Sequence, residues 1–247
     1  MRWPRPPPPC CPSPSPSPFR GLPLPTEKEC AVDSGLTLDR LEVMLGSTCL
    51  LGLSATIAPG EVLTLMGPSG VGKSALLAAL TGTLTAPLAA AGEARLDGAC
   101  ITDLPAERRR LGILFHESLL FPHLSVAGNL AFALPPGPRA ARRAAIAQAL
   151  ADVGLDGFGP RDPATLSGGE QARVALMRTL LAEPKALLLD EPFSRLDAAR
   201  REEVRSLTFD HAEKRGLPVL MVTHDAEDAR AAKGRVLEAQ PGRIVGD

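Results

Sequence analysis

The chain has 247 residues, 45% hydrophobic and 22% charged, with a formal charge of -1. That is enough for one sizeable α/β domain and too balanced a charge to offer a global field to nucleic acid. No stretch reaches the roughly 18 to 20 consecutive apolar residues that a membrane-spanning helix needs, and Met1 to Arg20 lacks the apolar run of a secretion signal.

Residues 1 to 25 hold eleven prolines, among them Pro6 to Pro9 and the alternating run Pro12 to Pro18, which exclude helix and central strand. Residues 1–31 therefore read as a disordered proline-rich tail, and 32–247 as a single domain. Two readings of the tail stand, a polyproline ligand for a partner and an over-extended gene start. Cys10, Cys11, Cys30, Cys49 and Cys100 are odd in number and lack Cys-x-x-Cys spacing, which fits a reducing cytoplasm.

Strand-like segments run from about 36 to 58. The apolar run Glu61 to Met66 then reads as a buried strand, followed by Gly67-Pro68-Ser69-Gly70-Val71-Gly72-Lys73-Ser74-Ala75 and a helix over 74–81. Strand, glycine loop and helix in this order aim backbone N–H groups and a helix N-terminus at one point, where a triphosphate can sit. Gly67 and Gly72 let the chain bend, Lys73 reaches the β- and γ-phosphates, and Ser74 offers its hydroxyl to Mg²⁺.

Arg108-Arg109-Arg110 is too short for a basic patch and reads as solvated arginines. Leu111 to Phe115 is a strand, with His116 after it. A mainly helical insertion follows over about 117–165, including a helix from Arg139 to Val153. Leu166-Ser167-Gly168-Gly169-Glu170 opens a helix running from about Gln171 to Leu181, and alone it is a capped helix start. The apolar strand ending at Asp190-Glu191 delivers two adjacent carboxylates. Asp190 is placed to hold the Mg²⁺ shell and Glu191 to orient or deprotonate the attacking water. Ser194-Arg195-Leu196-Asp197 comes next, and the strand Val219 to Thr223 ends at His224-Asp225.

In this order the motifs resemble the ATP-binding cassette family over about residues 36 to 245, closest to the small ATPase subunits of bacterial binding-protein-dependent importers. The match is carried by the Walker A loop at 67–74, the signature at 166–170, Walker B at 186–191, the D-loop at 194–197 and the switch histidine at 224. The resemblance implies a P-loop NTPase fold of α/β class, with a mostly parallel core sheet, a small antiparallel β-subdomain from the N-terminal strands, and a helical subdomain over 117–165. It also implies a head-to-tail dimer of two copies. ATP on the loop of one is capped in trans by Ser167, Gly168, Gly169 and Glu170 of the other, with Asp197 coupling the two sites and His224 contacting the γ-phosphate. The expected cofactors are ATP and Mg²⁺. The expected partners are a second copy, permease subunits and, indirectly, an extracytoplasmic solute-binding protein, at the cytoplasmic face of the inner membrane and without nucleic acid.

Three positions depart from the family pattern. His116 stands where the family has the glutamine of its Q-loop; two readings stand, a tolerated substitution with no pH role, and a turnover that falls as pH drops through the histidine range, with His116→Gln flattening that dependence. No aromatic residue lies between Leu36 and Ile57, which leaves Met44 or Leu45 to face the base. Ala75 replaces a usual hydroxyl. The segment Phe121 to Leu130 resembles the family's permease contact, or belongs to the core. After His224 only 23 residues follow, too few for the regulatory β-domain that many importer ATPases append. The rival reading is a cassette ATPase acting on ribosomes or DNA without a permease. Against it, Lys73 and Ser167 are only 94 positions apart, leaving no room for a long coiled-coil insertion. A third is an ATP-binding subunit with weak hydrolysis.

Overall fold

The computed structural model describes residues 34–246, so the expectation for residues 1–31 lies outside the described residues. The strands are β1 (Leu36–Leu45), β2 (Thr48–Ile57), β3 (Val62–Met66), β4 (Leu88–Leu96), β5 (Ala99–Cys100), β6 (Leu111–Phe115), β7 (Ala186–Asp190), β8 (Val219–Thr223), β9 (Arg235–Glu238) and β10 (Ile244–Gly246). The helices are α1 (Lys73–Thr81), α2 (Val126–Ala133), α3 (Arg139–Ala151), α4 (Gly168–Leu181), α5 (Ala198–Lys214) and α6 (Ala226–Ala231). One sheet is wholly parallel in the order β6-β7-β8-β3-β9. The other runs β10-β2-β1-β4-β5, antiparallel except for the β10–β2 pair. This is the α/β architecture expected.

The inner parallel strands β3, β7 and β8 lack polar alternation because both of their faces are covered. Along β7, Leu187 and Leu189 pack with α2, α3, α4 and α5 on one side, while Ala186 and Leu188 face the core shared with α1 and the antiparallel sheet. β8 divides in the same way, Val219 and Met221 against Leu220 and Val222. Each such leucine, fully buried, is worth about 1.5–3 kcal/mol of transfer free energy. Within 117–165 lie α2, α3 and a 3-10 turn at Pro163–Thr165. Within Phe121 to Leu130 the residues Pro122 and His123 are exposed. Val126, Asn129 and Leu130 are buried, whereas Phe132, two residues beyond it, is 70% exposed.

Arg109 departs from expectation. Arg108 and Arg110 are exposed, but Arg109 is buried. Its guanidinium donates to the carbonyls of Ala79 and Leu80 near the end of α1, and to those of Thr102 and Leu104. Burial lowers its pKa, and the carbonyls supply the partners that a buried cation requires. It ties α1 to the segment leading into β6.

Candidate active site

The parallel sheet places the chemistry-bearing residues on adjacent strand ends. Phe115 pairs with Asp190, Asp190 with Val222, and Thr223 with Met66. The residues leaving the carboxyl ends of β6, β7, β8 and β3 are therefore His116, Glu191, His224 and Gly67, side by side at the usual spacing of about 4.8 Å per strand. Sites in open parallel sheets form at such carboxyl ends.

The glycine loop leaves β3 and enters α1. Gly70 and Gly72 have φ of 85° and 105°, a region that side chains resist. Gly72 bends the chain as expected. Gly67 has another reason to be glycine, because an added Cβ would lie 2.9 Å from Cβ of Ala239, just past β9. Gly72 is also the N-cap of α1 and supplies no side-chain acceptor, so the positive end of the helix faces the loop without a capping group of its own. Lys73 is buried and its Nζ donates to the carbonyls of Gly67 and Pro68 at 2.8 and 2.9 Å. Burial lowers the pKa of its ammonium, opposed by the charges of Glu191 and Asp190.

Ser74 Oγ donates to Asp190 Oδ1 at 2.9 Å. Burial raises the Asp190 pKa most strongly, against the Ser74 hydrogen bond, with Glu191 adding to the rise. Glu191 sits at φ 46°, a strained backbone for a side-chain-bearing residue and of the kind that gathers at functional sites. Its Oε1 lies 3.0 Å from Nδ1 of His224. Nδ1 donates across this contact in the tautomer that carries the ring proton there, which leaves Nε2 facing away from Glu191 as the other ring nitrogen.

A cavity of about 430 Å³ is lined by Ser69, Gly70, Gly72, Lys73, Ser74, Ala75, His116, Asp190 and Glu191, with Leu50 and Leu88 as its apolar wall. Met44 and Leu45, expected to face the base, are not among its lining residues. His116 also borders a second cavity, of about 420 Å³, that contains Gly168. Glu117, beside it, pairs with Arg195 at 2.7 Å.

None of Ser167 to Glu170 lines the cavity of the glycine loop. Helix α4 begins at Gly168, earlier than expected, with Ser167 as its N-cap. Glu170 closes a capping box, its Oε2 accepting from Ser167 N at 2.7 Å. Gly169 packs under α5, where a Cβ would meet Arg200 at 3.1 Å. Asp197 caps α5, its Oδ1 accepting from Arg200 N at 3.1 Å.

Sequence reasoning missed two ion pairs between α5 and α6, Arg201 with Asp225 at 2.7 Å and Arg205 with Asp228 at 3.2 Å. The signal was present in the spacing: arginines at i and i+4 share one helix face, as do carboxylates at i and i+3.

A family model described as ABC transporter matches residues 50–194. The chain is 48% identical over 186 residues to the uncharacterized ABC transporter ATP-binding protein YnjD of Escherichia coli (strain K12), covering 75% of this chain and 86% of that one. It is 42% identical over 216 residues to the thiamine import ATP-binding protein ThiQ of Jannaschia sp. (strain CCS1), covering 86% and 92% respectively. Against the Fe(3+) ions import ATP-binding protein FbpC 1 of Rhizobium meliloti (strain 1021), identity is 41% over 200 residues, 80% of this chain and 56% of the relative.

Proposed function

The chain belongs to the ABC transporter family, and from that premise we propose that it is the ATP-hydrolysing subunit of a solute importer. Two copies dock under permease subunits, close on ATP and reopen on its hydrolysis. The observation that carries this reading is the convergence of Lys73, Ser74, Asp190 and Glu191 on one cavity at the carboxyl ends of β3 and β7, which flank β8 in the parallel sheet. Import is taken from two of the named relatives, the thiamine import protein ThiQ and the Fe(3+) ions import protein FbpC 1; their solutes differ, so only the class is carried over.

In this reading the loop from Gly67 to Ala75 holds the phosphates. Its open φ angles, the uncapped α1 terminus and the buried Lys73 fit a polyanion. Ser74 and Asp190 present two hard oxygens 2.9 Å apart, a donor set that suits Mg²⁺. The metal, when bound, neutralises charge on the β- and γ-phosphates. Glu191 orients the attacking water and accepts its proton, and His224 holds the Glu191 carboxylate through Nδ1. Ser167 and Gly169 serve the partner copy, in keeping with their absence from the lining of their own chain's cavity. Among the described residues no helix is long and apolar enough to cross a membrane, so in this reading attachment to the inner membrane runs through the permease.

The test is to purify the tagged chain from detergent-solubilised membranes of its host, identify what accompanies it and assay Mg-ATP turnover. A polytopic permease with ATPase activity is the expected result. Ribosomes or DNA instead of a membrane protein would replace the importer reading.

A further inference from the structure

The pairing of α5 with α6 joins two places that the hydrolysis site uses. Asp197 is the N-cap of α5, and Arg201 lies one turn in, its N–H donating to the Asp197 carbonyl at 2.8 Å. Arg201 Nη1 reaches Asp225 Oδ2 at 2.7 Å. The other oxygen of that carboxylate, Oδ1, accepts from Glu227 N at 2.7 Å and so caps α6. Asp225 N in turn donates to Thr223 Oγ1 at 3.0 Å, at the end of β8. One carboxylate thus holds the start of α6 and the far end of Arg201 together. The residue between Thr223 and Asp225 is His224, whose ring meets Glu191.

We propose that Arg201 is a positioning residue for ATP hydrolysis: through Asp225 it fixes His224 against Glu191 and links that contact to the segment carrying Asp197. The proposal rests on the reading in which Glu191 and His224 serve hydrolysis. Helix α6 has six residues, far too few to hold a helix by itself, so the placement of its first turn depends on tertiary ties. Arg201 and Asp225 are 23% and 29% exposed at their side chains, which screens them less than a fully solvated pair. One turn along, Arg205 and the buried Asp228 repeat the arrangement, so two ion pairs tie α5 to α6. A shift of Asp197 at the surface is then transmitted to His224.

The test compares steady-state ATP turnover of Arg201→Ala, Asp225→Asn, Arg201→Lys and His224→Ala, and of Arg201→Ala combined with His224→Ala, with thermal melts as the check on folding. Asparagine is as good an N-cap as aspartate, so Asp225→Asn removes the charge and spares the helix start. Arg201→Ala and Asp225→Asn are expected to lower kcat about tenfold with KM for ATP within about twofold, as a displaced catalytic group does. Arg201→Lys, able to make the single contact of Nη1, keeps at least about half of the turnover. Added to His224→Ala, Arg201→Ala costs less than about twofold, because residues acting through one another are not additive. A second tenfold loss on top of His224→Ala, or wild-type turnover in Asp225→Asn, overturns the proposal and leaves the hydrolytic reading intact. Unchanged turnover in His224→Ala removes the reading itself, and the proposal with it.

Discussion

Ser74 and Asp190, 116 positions apart, meet through a 2.9 Å hydrogen bond that closes the floor of the phosphate cavity. The contact joins the first turn of α1 to the end of β7, two strands away from β3 in the sheet. It holds a carboxylate in a place where burial disfavours its charge, which is where a cation is most useful.

Asp190→Asn should therefore stabilise the nucleotide-free protein at neutral pH. A carboxyl whose folded pKa is raised contributes stability below its unfolded pKa, and loses it as pH rises through the folded value. At neutral pH it is a cost that asparagine removes. Melting should rise by a few degrees, on a scale of about 2–4 °C per kcal/mol for a chain this size. The further rise produced by Mg-ATP should disappear along with turnover. Calorimetry with and without Mg-ATP checks both; an unchanged Mg-ATP response would remove Asp190 from the metal shell.

Glu191→Gln keeps the size and backbone of the glutamate and removes its basicity. Turnover should fall about 10²- to 10⁴-fold, with ATP affinity retained in equilibrium titration. Glu191→Gly should also lose turnover, yet melt higher than Glu191→Gln, because it relieves the φ of 46°.

Glu170 serves α4 through its capping box. Glu170→Ala removes the N3 half of that box and should cost about 0.5–1.5 kcal/mol in denaturant unfolding, the net worth of one hydrogen bond. Hydrogen bonding by Ser167, side chain first and backbone second, lowers its pKa. Its contribution is then present above the ordinary glutamate range and lost as pH falls through the lowered folded value. Glu170→Gln, which keeps the acceptor, should hold near wild-type stability and show less acid sensitivity in that window.

Arg109 and Arg108 should behave oppositely. Arg109→Ala strips donors from four carbonyls and should cost roughly 2–4 kcal/mol. The exposed Arg108→Ala should stay within about 0.5 kcal/mol. Equal effects in urea unfolding would contradict the buried placement of Arg109.

Much of the site could be read from the chain because its signals are local. Largely apolar runs mark β3, β6, β7 and β8, and the glycine spacing from Gly67 to Gly72 marks the loop, since each reports the chain's own periodicity and backbone freedom. β4 stayed unread: Leu88–Leu96 is alanine-rich and mostly exposed, without an alternating pattern to announce a strand. The order β6-β7-β8-β3 is not written in any one segment either, and it alone sets His116, Glu191, His224 and Gly67 beside one another. Neighbouring strands are chosen by packing between distant parts of the chain. The same holds for Arg109 among its carbonyls, Gly67 beneath Ala239 and Arg201 on Asp225, each decided by a partner remote in sequence. The amino-acid sequence determined which groups are present and the local shape that carries them, because those depend on near neighbours. Only the tertiary structure decided which groups meet, because burial and pairing are properties of the whole packed chain.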